Sequence, residues 1–290
     1  MIKKLKQISI VLISYNSSTK LIRFIKKIPK NSPILIIDNS KDFNLKKIFK
    51  KNKNIRIYFK KNMGYGSSIN YAAKKINTKY FFVVQPDVKG INKKALVTFY
   101  NYAENLKEKF SVIGPHYIKA PKSGHYQTSL KYDIKKIHNV HGSTIFFNKM
   151  NFIKNKGFDP NIFLYWEETD YTKRARKNGY NAFQLNKVKV FHEKGKAVNV
   201  SSSKEEKQLT YLYGWHFIWS KYYFFKKHYG KILAIIYFLP IIIRLLLRIM
   251  YYKITNNDKI IKYHYRWDGL YSSILGKRSF KRLNDIKLNI

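Results

Sequence analysis

The chain of 290 residues has no cysteine, few acidic residues and little proline or glycine. The absence of cysteine excludes a disulfide scaffold, a thiol nucleophile and any cysteine-ligated zinc or iron–sulfur site. Hydrophobic residues make up 45% of the chain and aromatic residues 17%, against 7 prolines and 13 glycines, which excludes a disordered or fibrous protein. We therefore expect a globular intracellular protein with one large domain, or a medium-sized domain with an appendage.

The scarcity of acidic residues leaves the chain strongly basic, with 58 lysines and arginines, 16 acidic residues and a formal charge of +42. Such a charge first suggests nucleic acid as a partner. Only nine of the basic residues are arginine, the side chain suited to forked contacts with phosphates and base edges. A solvated lysine surface is the simplest interpretation, and among anionic partners a membrane surface is favoured over nucleic acid.

The first half of the chain alternates short apolar runs with stretches of helical spacing. Strands are predicted at 8–13, 34–37, 55–59, 80–84 and 112–113. Buried parallel strands read as continuous apolar runs and are joined by helices, so this pattern predicts an α/β fold with a mostly parallel sheet. Further along we predict strand-like segments at 127–132 and 141–147, a helix at 167–177 and a strand at 188–192.

The composition changes near residue 200, and we predict two regions, 1–200 and 201–290. Residues 211–225 contain nine aromatic residues, and the 12-residue apolar run 232–243 is followed by Arg244 and Arg248. A membrane-spanning helix needs ~20 apolar residues, whereas two arginines four apart share one helix face. We therefore expect a C-terminal helical region that associates with a membrane interface. A soluble helical subdomain and a true membrane span are the alternatives.

Polar residues follow four successive predicted strands, at the sheet edge where ligands bind in open α/β folds. They are Ser14, Tyr15 and Asn16, then Asp38, then Asn62, Gly64 and Asn70, and finally Gln85 and Asp87. Any one of these could belong to an ordinary turn. Together they indicate a ligand site.

The segment 62–70 precedes a predicted helix, whose N-terminus would favour a phosphate. Gly64 and Gly66 allow a ligand to approach the backbone closely. The segment lacks the third glycine of a dinucleotide fingerprint and the Lys-Ser/Thr end of a P-loop, which disfavours a hydride-transfer cofactor or an NTPase. Asp87 ends a very apolar strand and suits a hard cation that bridges phosphates, or a helix cap. His192, also at a strand end, would complete that cation site or be structural.

The densest acidic cluster lies within 12 residues and consists of Asp159, Glu167, Glu168 and Asp170. Acidic residues in the first turn of a helix complement its dipole, which is one explanation. Three of them beside an aromatic pair, in a chain so poor in acidic residues, suggest a carboxylate that serves as a general base.

In their order along the chain, these motifs resemble family 2 glycosyltransferases of the GT-A fold, which is Rossmann-like. The motifs are Ser-Tyr-Asn, Asp-Asn, Asn-x-Gly-Tyr-Gly, Gln-Pro-Asp, Gly-Phe-Asp, Trp-Glu-Glu-Thr-Asp-Tyr and a final His. The resemblance covers residues 8–195 and is greatest to the bacterial branch with rhamnosyl- and galactofuranosyl-transferases. It implies an inverting transfer from a nucleotide-diphosphate sugar to an acceptor hydroxyl, assisted by Mg²⁺ or Mn²⁺.

The resemblance also implies roles for individual residues. The residues that match nucleotide-binding positions are Ser14, Tyr15, Asn16, Asp38, Asn62, Gly64, Asn70 and Gln85. Asp87 and His192 match the metal ligands. Glu168 matches the catalytic base, and Glu167 and Asp170 match catalytic positions near the acceptor. Two departures stand out. The family's D-x-D is reduced to Gln85-Pro86-Asp87, and the base is a glutamate where aspartate is common. Asp170 stays open as an alternative base.

The expected reaction uses dTDP-rhamnose or a UDP-sugar and a glycan or lipid-linked acceptor in cell-surface polysaccharide synthesis. We expect the protein in the cytoplasm, peripheral on the inner face of the plasma membrane, with no nucleic acid partner. One alternative is a catalytically degenerate GT-A protein, because half of the metal motif is missing. Another is a basic module that binds membranes or nucleic acid, although this would not explain the acidic cluster.

Overall fold

A computed structural model of the protein describes residues 2–107, 109–118, 131–193 and 197–288. Most of the strand predicted at 127–132 lies outside these residues. The chain divides into two compact units, each built from two stretches of sequence. The first unit comprises Met1–Asp159 and Glu167–Asn199, and the second comprises Pro160–Trp166 and Val200–Ile290.

The first unit alternates strands and helices, as the apolar runs predict. Its strands are β1 (Ile8–Ser14), β2 (Ile34–Asp38), β3 (Ile55–Phe59), β4 (Tyr80–Val84), β5 (Val88–Lys89), β6 (Phe110–Tyr117), β7 (Ile134–Ile137), β8 (Thr144–Asn148) and β9 (Asn181–His192). Its helices are α1 (Ile2–Leu5), α2 (Ser18–Ile25), α3 (Asn44–Ile48), α4 (Tyr65–Lys75), α5 (Lys93–Asn105), α6 (Lys149–Lys154) and α7 (Glu167–Lys177).

These strands form one sheet in the order β3-β2-β1-β4-β8-β6-β9-β5, with β7 also paired to β9. Strands β3, β2, β1 and β4 are parallel, whereas β8 runs antiparallel to both of its neighbours. Ser14 pairs with Asp38, which pairs with Phe59, so the carboxyl ends of β1, β2 and β3 are level. The predicted α/β architecture is confirmed, but the sheet is mixed rather than mostly parallel, because β5, β7 and β8 run antiparallel to the strands that they pair with.

Both faces of the sheet are covered by helices. On β1, Ile10 and Leu12 pack in the cluster that includes residues of α2 and α5, while Val11 packs in the cluster that includes residues of α4, α6 and α7. This alternation follows from the two-residue period of a strand. Because both faces are buried, neither requires polar residues, and the strand reads as an uninterrupted apolar run.

Helix α7 is anchored by a buried ion pair. Asp170, whose side chain is fully buried, accepts a hydrogen bond of 2.8 Å from Nε of Arg174 one turn later. Arg174 also donates through its terminal nitrogens to the carbonyl oxygens of Asn155 and Gly157. The pair therefore fixes the start of α7 against the loop that follows α6.

The second unit contains three long helices: α8 (Ser203–Tyr229), α9 (Lys231–Ile254) and α10 (Lys259–Ile274). They pack around a core that includes Tyr222, Phe238 and Leu270. Gly230, between α8 and α9, has a φ of 88°, a left-handed conformation that glycine adopts without strain. The predicted C-terminal helical region is confirmed. Among the described helices, α9 is the one whose length and composition suffice to cross a membrane.

The short stretch Pro160–Trp166 belongs to the second unit. The Phe163 ring stacks on His216 with centroids 4.7 Å apart, and the Arg282 guanidinium lies 3.8 Å from the Phe163 centroid. Burial lowers the pKa of His216 to about 3, so this imidazole is neutral. Tyr165 and Trp166 have φ values of 66° and 70°, a left-handed conformation that side chains with a Cβ rarely adopt.

The ion pair of α7 leads to a prediction about stability. Asp170→Asn removes the buried counter-charge of the partly buried Arg174, so we expect a loss of about 3 kcal/mol in the free energy of unfolding. The measurement is urea denaturation of the full chain.

Lys79→Ala is the control, because Lys79 and Glu104 form a pair whose side chains are each 38% exposed. Its expected cost is below about 1 kcal/mol. Equal losses from the two substitutions would contradict a special role for the buried pair.

Candidate active site

The carboxyl ends of β1 and β2 form one wall of the candidate site. The buried Asp38 accepts hydrogen bonds from the Ser40 hydroxyl and from the Asp42 backbone N–H, both at 2.8 Å. Ser14, level with Asp38, is also buried, and its hydroxyl lies 3.1 Å from that of Ser17. Asp38 and Ser14 thus shape the turns at this edge. Tyr15 is half-buried, and Asn16 is exposed with a φ of 47°.

The segment 62–70 enters α4 through a tight turn. The Asn62 side chain accepts a hydrogen bond from the Gly64 backbone N–H at 3.1 Å, and Gly64 has a φ of 100°. The Asn70 side chain instead binds the backbone of Phe158. Its amide nitrogen donates to the Phe158 carbonyl at 2.8 Å, and its amide oxygen accepts from the Phe158 N–H at 2.9 Å. Asn62 and Gly64 therefore lie at the sheet edge, while both polar atoms of Asn70 hold the loop before α7.

Asp87 and His192, the predicted cation ligands, are neighbours in the structure. Nε2 of His192 lies 3.3 Å from Oδ2 of Asp87, and the two side chains are 10% and 1% exposed. Within the described residues, neither Asp87 oxygen and neither His192 ring nitrogen has a hydrogen-bond partner. A buried carboxylate without donors is costly, and one oxygen and one imidazole ligand suit a divalent cation. These two residues therefore fit a metal.

The described residues show no larger metal-binding group around this pair. In the part of the chain that the structure describes, no three His, Cys, Asp or Glu side chains could hold one ion together. Gln85, where the family's first carboxylate would stand, instead hydrogen-bonds through its side chain to the Tyr65 hydroxyl. Tyr65 in turn donates to the Gly142 carbonyl at 2.9 Å. The departure at Gln85 thus ties β4 to α4.

The segment 141–143 connects the cation pair with the acidic cluster. The His141 ring contacts the His192 ring edge-on, with centroids 5.1 Å apart. Nδ1 of His141 accepts a hydrogen bond of 3.1 Å from the Ser143 backbone N–H, which fixes the orientation of the ring. Next to it, Gly142 faces Glu168: a Cβ on residue 142 would lie 3.6 Å from Oε2 of Glu168. Residues 141–143 therefore lie between the Asp87–His192 pair and Glu168.

The sequence pattern does not predict this segment as part of the site, because ligand-binding residues are expected at the carboxyl ends of parallel strands. Strand β8 is antiparallel to β4, so the residues just before β8 lie at the same edge of the sheet as those just after β4. Accordingly, the Gln85 backbone N–H donates to the Ser143 carbonyl at 2.8 Å. The polar triplet His-Gly-Ser before a buried apolar strand was the available signal.

The acidic pair at the start of α7 has strongly perturbed acidity. Burial raises the pKa of Glu168 to about 7. Burial, and then the neighbouring Glu168 carboxylate, raise the pKa of Glu167 well above its usual range. The Thr169 hydroxyl donates a long hydrogen bond of 3.4 Å to the Glu168 carboxylate. The same hydroxyl accepts a hydrogen bond of 2.6 Å from the Asn139 side-chain amide. Glu168 therefore changes protonation state near neutral pH, as a general base requires.

The position of Asp170 favours Glu168 as the base. Asp170 is fully buried and paired with Arg174, whereas Glu168 is partly exposed and faces Gly142. A carboxylate that pairs with a partly buried guanidinium is a poor proton acceptor, because losing its charge would leave that cation unpaired.

Comparison with known proteins supports the resemblance. No family model matches the chain. The low-salt glycan biosynthesis hexosyltransferase Agl10 of Haloferax volcanii is 21% identical over 210 residues, which are 65% of this chain and 67% of Agl10. The uncharacterized glycosyltransferase MG060 of Mycoplasma genitalium is 25% identical over 210 residues, 63% of this chain and 67% of MG060.

Solved structures show the same fold at low identity. Residues 1–349 of S. aureus TarS in complex with UDP-GlcNAc match with a TM-score of 0.52 and 14% identity, over 93% of this chain and 92% of that one. GalNAc-T7 with UDP, GalNAc and Mn²⁺ matches with a TM-score of 0.52 and 11% identity, over 76% and 49% of the two chains. The chain therefore has the GT-A fold, and its sequence is similar to those of glycosyltransferases.

Proposed function

We propose that the chain is an inverting glycosyltransferase in which Glu168 is the general base. The observation that carries this proposal is the environment of Glu168, a partly buried carboxylate whose pKa is raised to about 7. A base is most effective when its pKa lies near the working pH. The carboxylate faces Gly142, and the adjacent His141 contacts the Asp87–His192 pair. The proposed base and the proposed cation site therefore lie near each other at the same edge of the sheet.

The proposed reaction forms one glycosidic bond and breaks the bond between the sugar and the diphosphate. The acceptor oxygen attacks the anomeric carbon from the face opposite the leaving group, and the bonding electrons leave with the nucleotide diphosphate. The hydroxyl proton passes to the Glu168 carboxylate. Because the pKa of Glu167 is raised well above its usual value, Glu168 is the member of the pair that carries the negative charge.

Asp87 and His192 are the residues that would hold Mg²⁺ or Mn²⁺. A bound cation would neutralise charge on the leaving diphosphate. Among the described residues, the buried polar atoms of both side chains make no hydrogen bonds, which supports this assignment, as does the Mn²⁺ in the GalNAc-T7 structure. With Gln85 in place of a second carboxylate, the protein itself supplies one negative charge to the ion.

The donor is a nucleotide-diphosphate sugar, and UDP-sugars are supported by the TarS complexes with UDP-GlcNAc and with UDP. The resemblance to rhamnosyltransferases keeps dTDP-rhamnose as the second donor to test. We propose a glycan or lipid-linked acceptor in cell-surface polysaccharide synthesis, in keeping with the glycan biosynthesis role named for Agl10. Reaction at the inner face of the plasma membrane is part of the same proposal.

The assignment of the base predicts the behaviour of Glu168→Gln. The amide keeps the size of the side chain and cannot accept the proton, so turnover should fall by ~10²–10⁴ while donor binding is retained. Glu206→Gln, an exposed glutamate in the first turn of α8, is the matched control and should have wild-type turnover. Wild-type turnover in Glu168→Gln would show that another group takes the proton.

The pKa of Glu168 also predicts the pH dependence of the wild-type enzyme. The base acts in its ionised form, so turnover should rise with pH, with a midpoint near the pKa of about 7, and then level off. The measurement is kcat against pH at saturating donor and acceptor. A rate already level at pH 5 would mean that the essential base has an ordinary carboxylate pKa.

The cation site predicts which nucleotides stabilise the protein. A ligand that binds the folded state raises the thermal midpoint, by ~2.7 kcal/mol at a hundredfold excess over its dissociation constant. We expect one of UDP, dTDP, GDP and CMP to do so with Mn²⁺ present, and Asp87→Asn to remove the metal-dependent part.

A nucleotide that raises the thermal midpoint equally with and without Mn²⁺ would support the transferase assignment and contradict the proposed metal site. The absence of any shift with folded protein would favour the degenerate or non-enzymatic alternatives.

A further inference from the structure

Helix α9 has one face in the core of the second unit and an apolar face outside it. Ala234, Phe238 and Leu245 are buried against the other helices. The opposite side exposes a row of large aliphatic residues: Ile232, Ile236, Leu239, Ile243, Leu247 and Ile254. At 3.6 residues per turn, these positions fall on one side of the helix. A continuous exposed apolar surface of this kind marks a contact with another apolar phase.

Two arginines border this surface. Arg244 and Arg248 lie one helical turn apart, and no carboxylate pairs with either guanidinium among the residues that the structure describes. Arg248 donates to the Tyr263 hydroxyl at 3.0 Å and lies 5.2 Å from the centroid of that ring. The two arginines line an open groove on α9 together with Pro240, Ile243, Leu247, Tyr251 and Tyr252. Two adjacent fixed cations beside aliphatic side chains match an anionic amphiphile.

We propose that α9 lies in the plane of an anionic lipid bilayer, with its exposed apolar face among the acyl chains and with Arg244 and Arg248 bound to headgroup phosphates. Long basic side chains at such a border extend to the headgroups while their aliphatic stems remain in the apolar layer. The proposal concerns the second unit alone, and it does not depend on the assignment of the active site.

The charges around α9 favour this orientation over a membrane span. Arg244 is close to the middle of the 24-residue helix, so a span would place a guanidinium near the bilayer centre, a costly position. Lys221 of α8 also lies 5.0 Å from the Tyr237 ring on α9, and a span would carry this lysine toward the hydrocarbon as well. In the plane of the interface, these cations remain at headgroup depth.

The overall charge favours lipid over a second copy of the chain. Each copy carries a formal charge of +42, so two copies repel each other, whereas an anionic leaflet attracts the chain. The occupant that satisfies both the aliphatic face and the arginines is therefore a layer of acyl chains with phosphate headgroups.

Flotation of the full chain with vesicles tests the proposal. We expect binding to phosphatidylcholine vesicles that contain phosphatidylglycerol, and little binding to phosphatidylcholine alone. Arg244→Gln should weaken binding about fivefold, the value expected for one basic residue at an anionic surface. Arg244→Lys should retain most of the affinity, and Arg278→Gln, an exposed arginine on the chain after α10, should leave it unchanged.

The apolar face has its own variant and control. Leu247→Glu, at a side chain that is 54% exposed, should abolish flotation without unfolding the chain, which circular dichroism checks. Ile153→Glu, at a similarly exposed residue of α6, should float like the wild type. Equal effects of these two substitutions would overturn the proposal. So would a lipid-free dimer that Leu247→Glu dissociates, since a second copy would then cover the face.

Competition and depth measurements decide the source of the phosphate and the orientation. Release from vesicles by inorganic phosphate, at constant ionic strength, would assign the arginines to a soluble anion and overturn the lipid assignment. Because the chain has no cysteine, single cysteines at Ile236, Ile243 and Ile254 accept nitroxide labels uniquely.

The outer two labels are about 27 Å apart along the helix. An in-plane helix places all three at one shallow depth. A deep label at residue 243 between two shallow ones would show a span and overturn the proposal, as would three labels exposed to water.

Discussion

Two adjacent carboxylates, Glu167 and Glu168, lie where burial disfavours their charged forms, and the candidate site of the first unit is built around that constraint. Gly66 permits α4 to approach Glu167, because a Cβ on residue 66 would lie 3.0 Å from the Cβ of Phe158 and 3.5 Å from that of Glu167. The N-terminus of α7 partly offsets the burial, since its dipole favours negative charge. The folded state holds the Glu168 proton up to pH of about 7, above the usual carboxylate range. This group's contribution to stability is therefore present at low pH and lost as pH rises toward 7.

Much of the fold was predictable from the sequence because the elements carry local signals. Strands buried on both faces appear as apolar runs, and α7 matches the predicted 167–177, with acidic residues at its start and Gly179 at a φ of 85° beyond its end. The apolar pattern predicts strand β6 only at 112–113, although the strand extends over Phe110–Tyr117. Its second half contains Gly114, Pro115 and His116, and its pairing with β9 shifts register between Pro115 and His116. Such an irregular strand is specified by its neighbours in space, which a local pattern does not contain.

The site was predictable to the same extent. Asp87 and His192 are adjacent in the structure although 105 positions separate them in the sequence, and the order of motifs suggested their pairing. The sequence does not predict that Asn70 hydrogen-bonds to the Phe158 backbone, because an asparagine in this segment is equally compatible with a ligand contact and with a backbone contact. His141 and Gly142 were missed for a topological reason: an antiparallel strand brings its beginning, rather than its end, to the ligand edge.

The stretch 160–166 has a consequence for the order in which the protein can mature. Leu164 accepts a hydrogen bond from Ser220, 56 positions later, and the rings around Trp166 include Phe224 of α8. Left-handed Tyr165 and Trp166 persist only where packing over-determines their backbone. A ribosome makes α8 to α10 after the sheet and α7, so a nascent chain that ends near residue 200 lacks the helices against which 160–166 packs. Neither unit is a continuous piece of the chain, and the segment next to the proposed base is completed only after synthesis of the C-terminal helices.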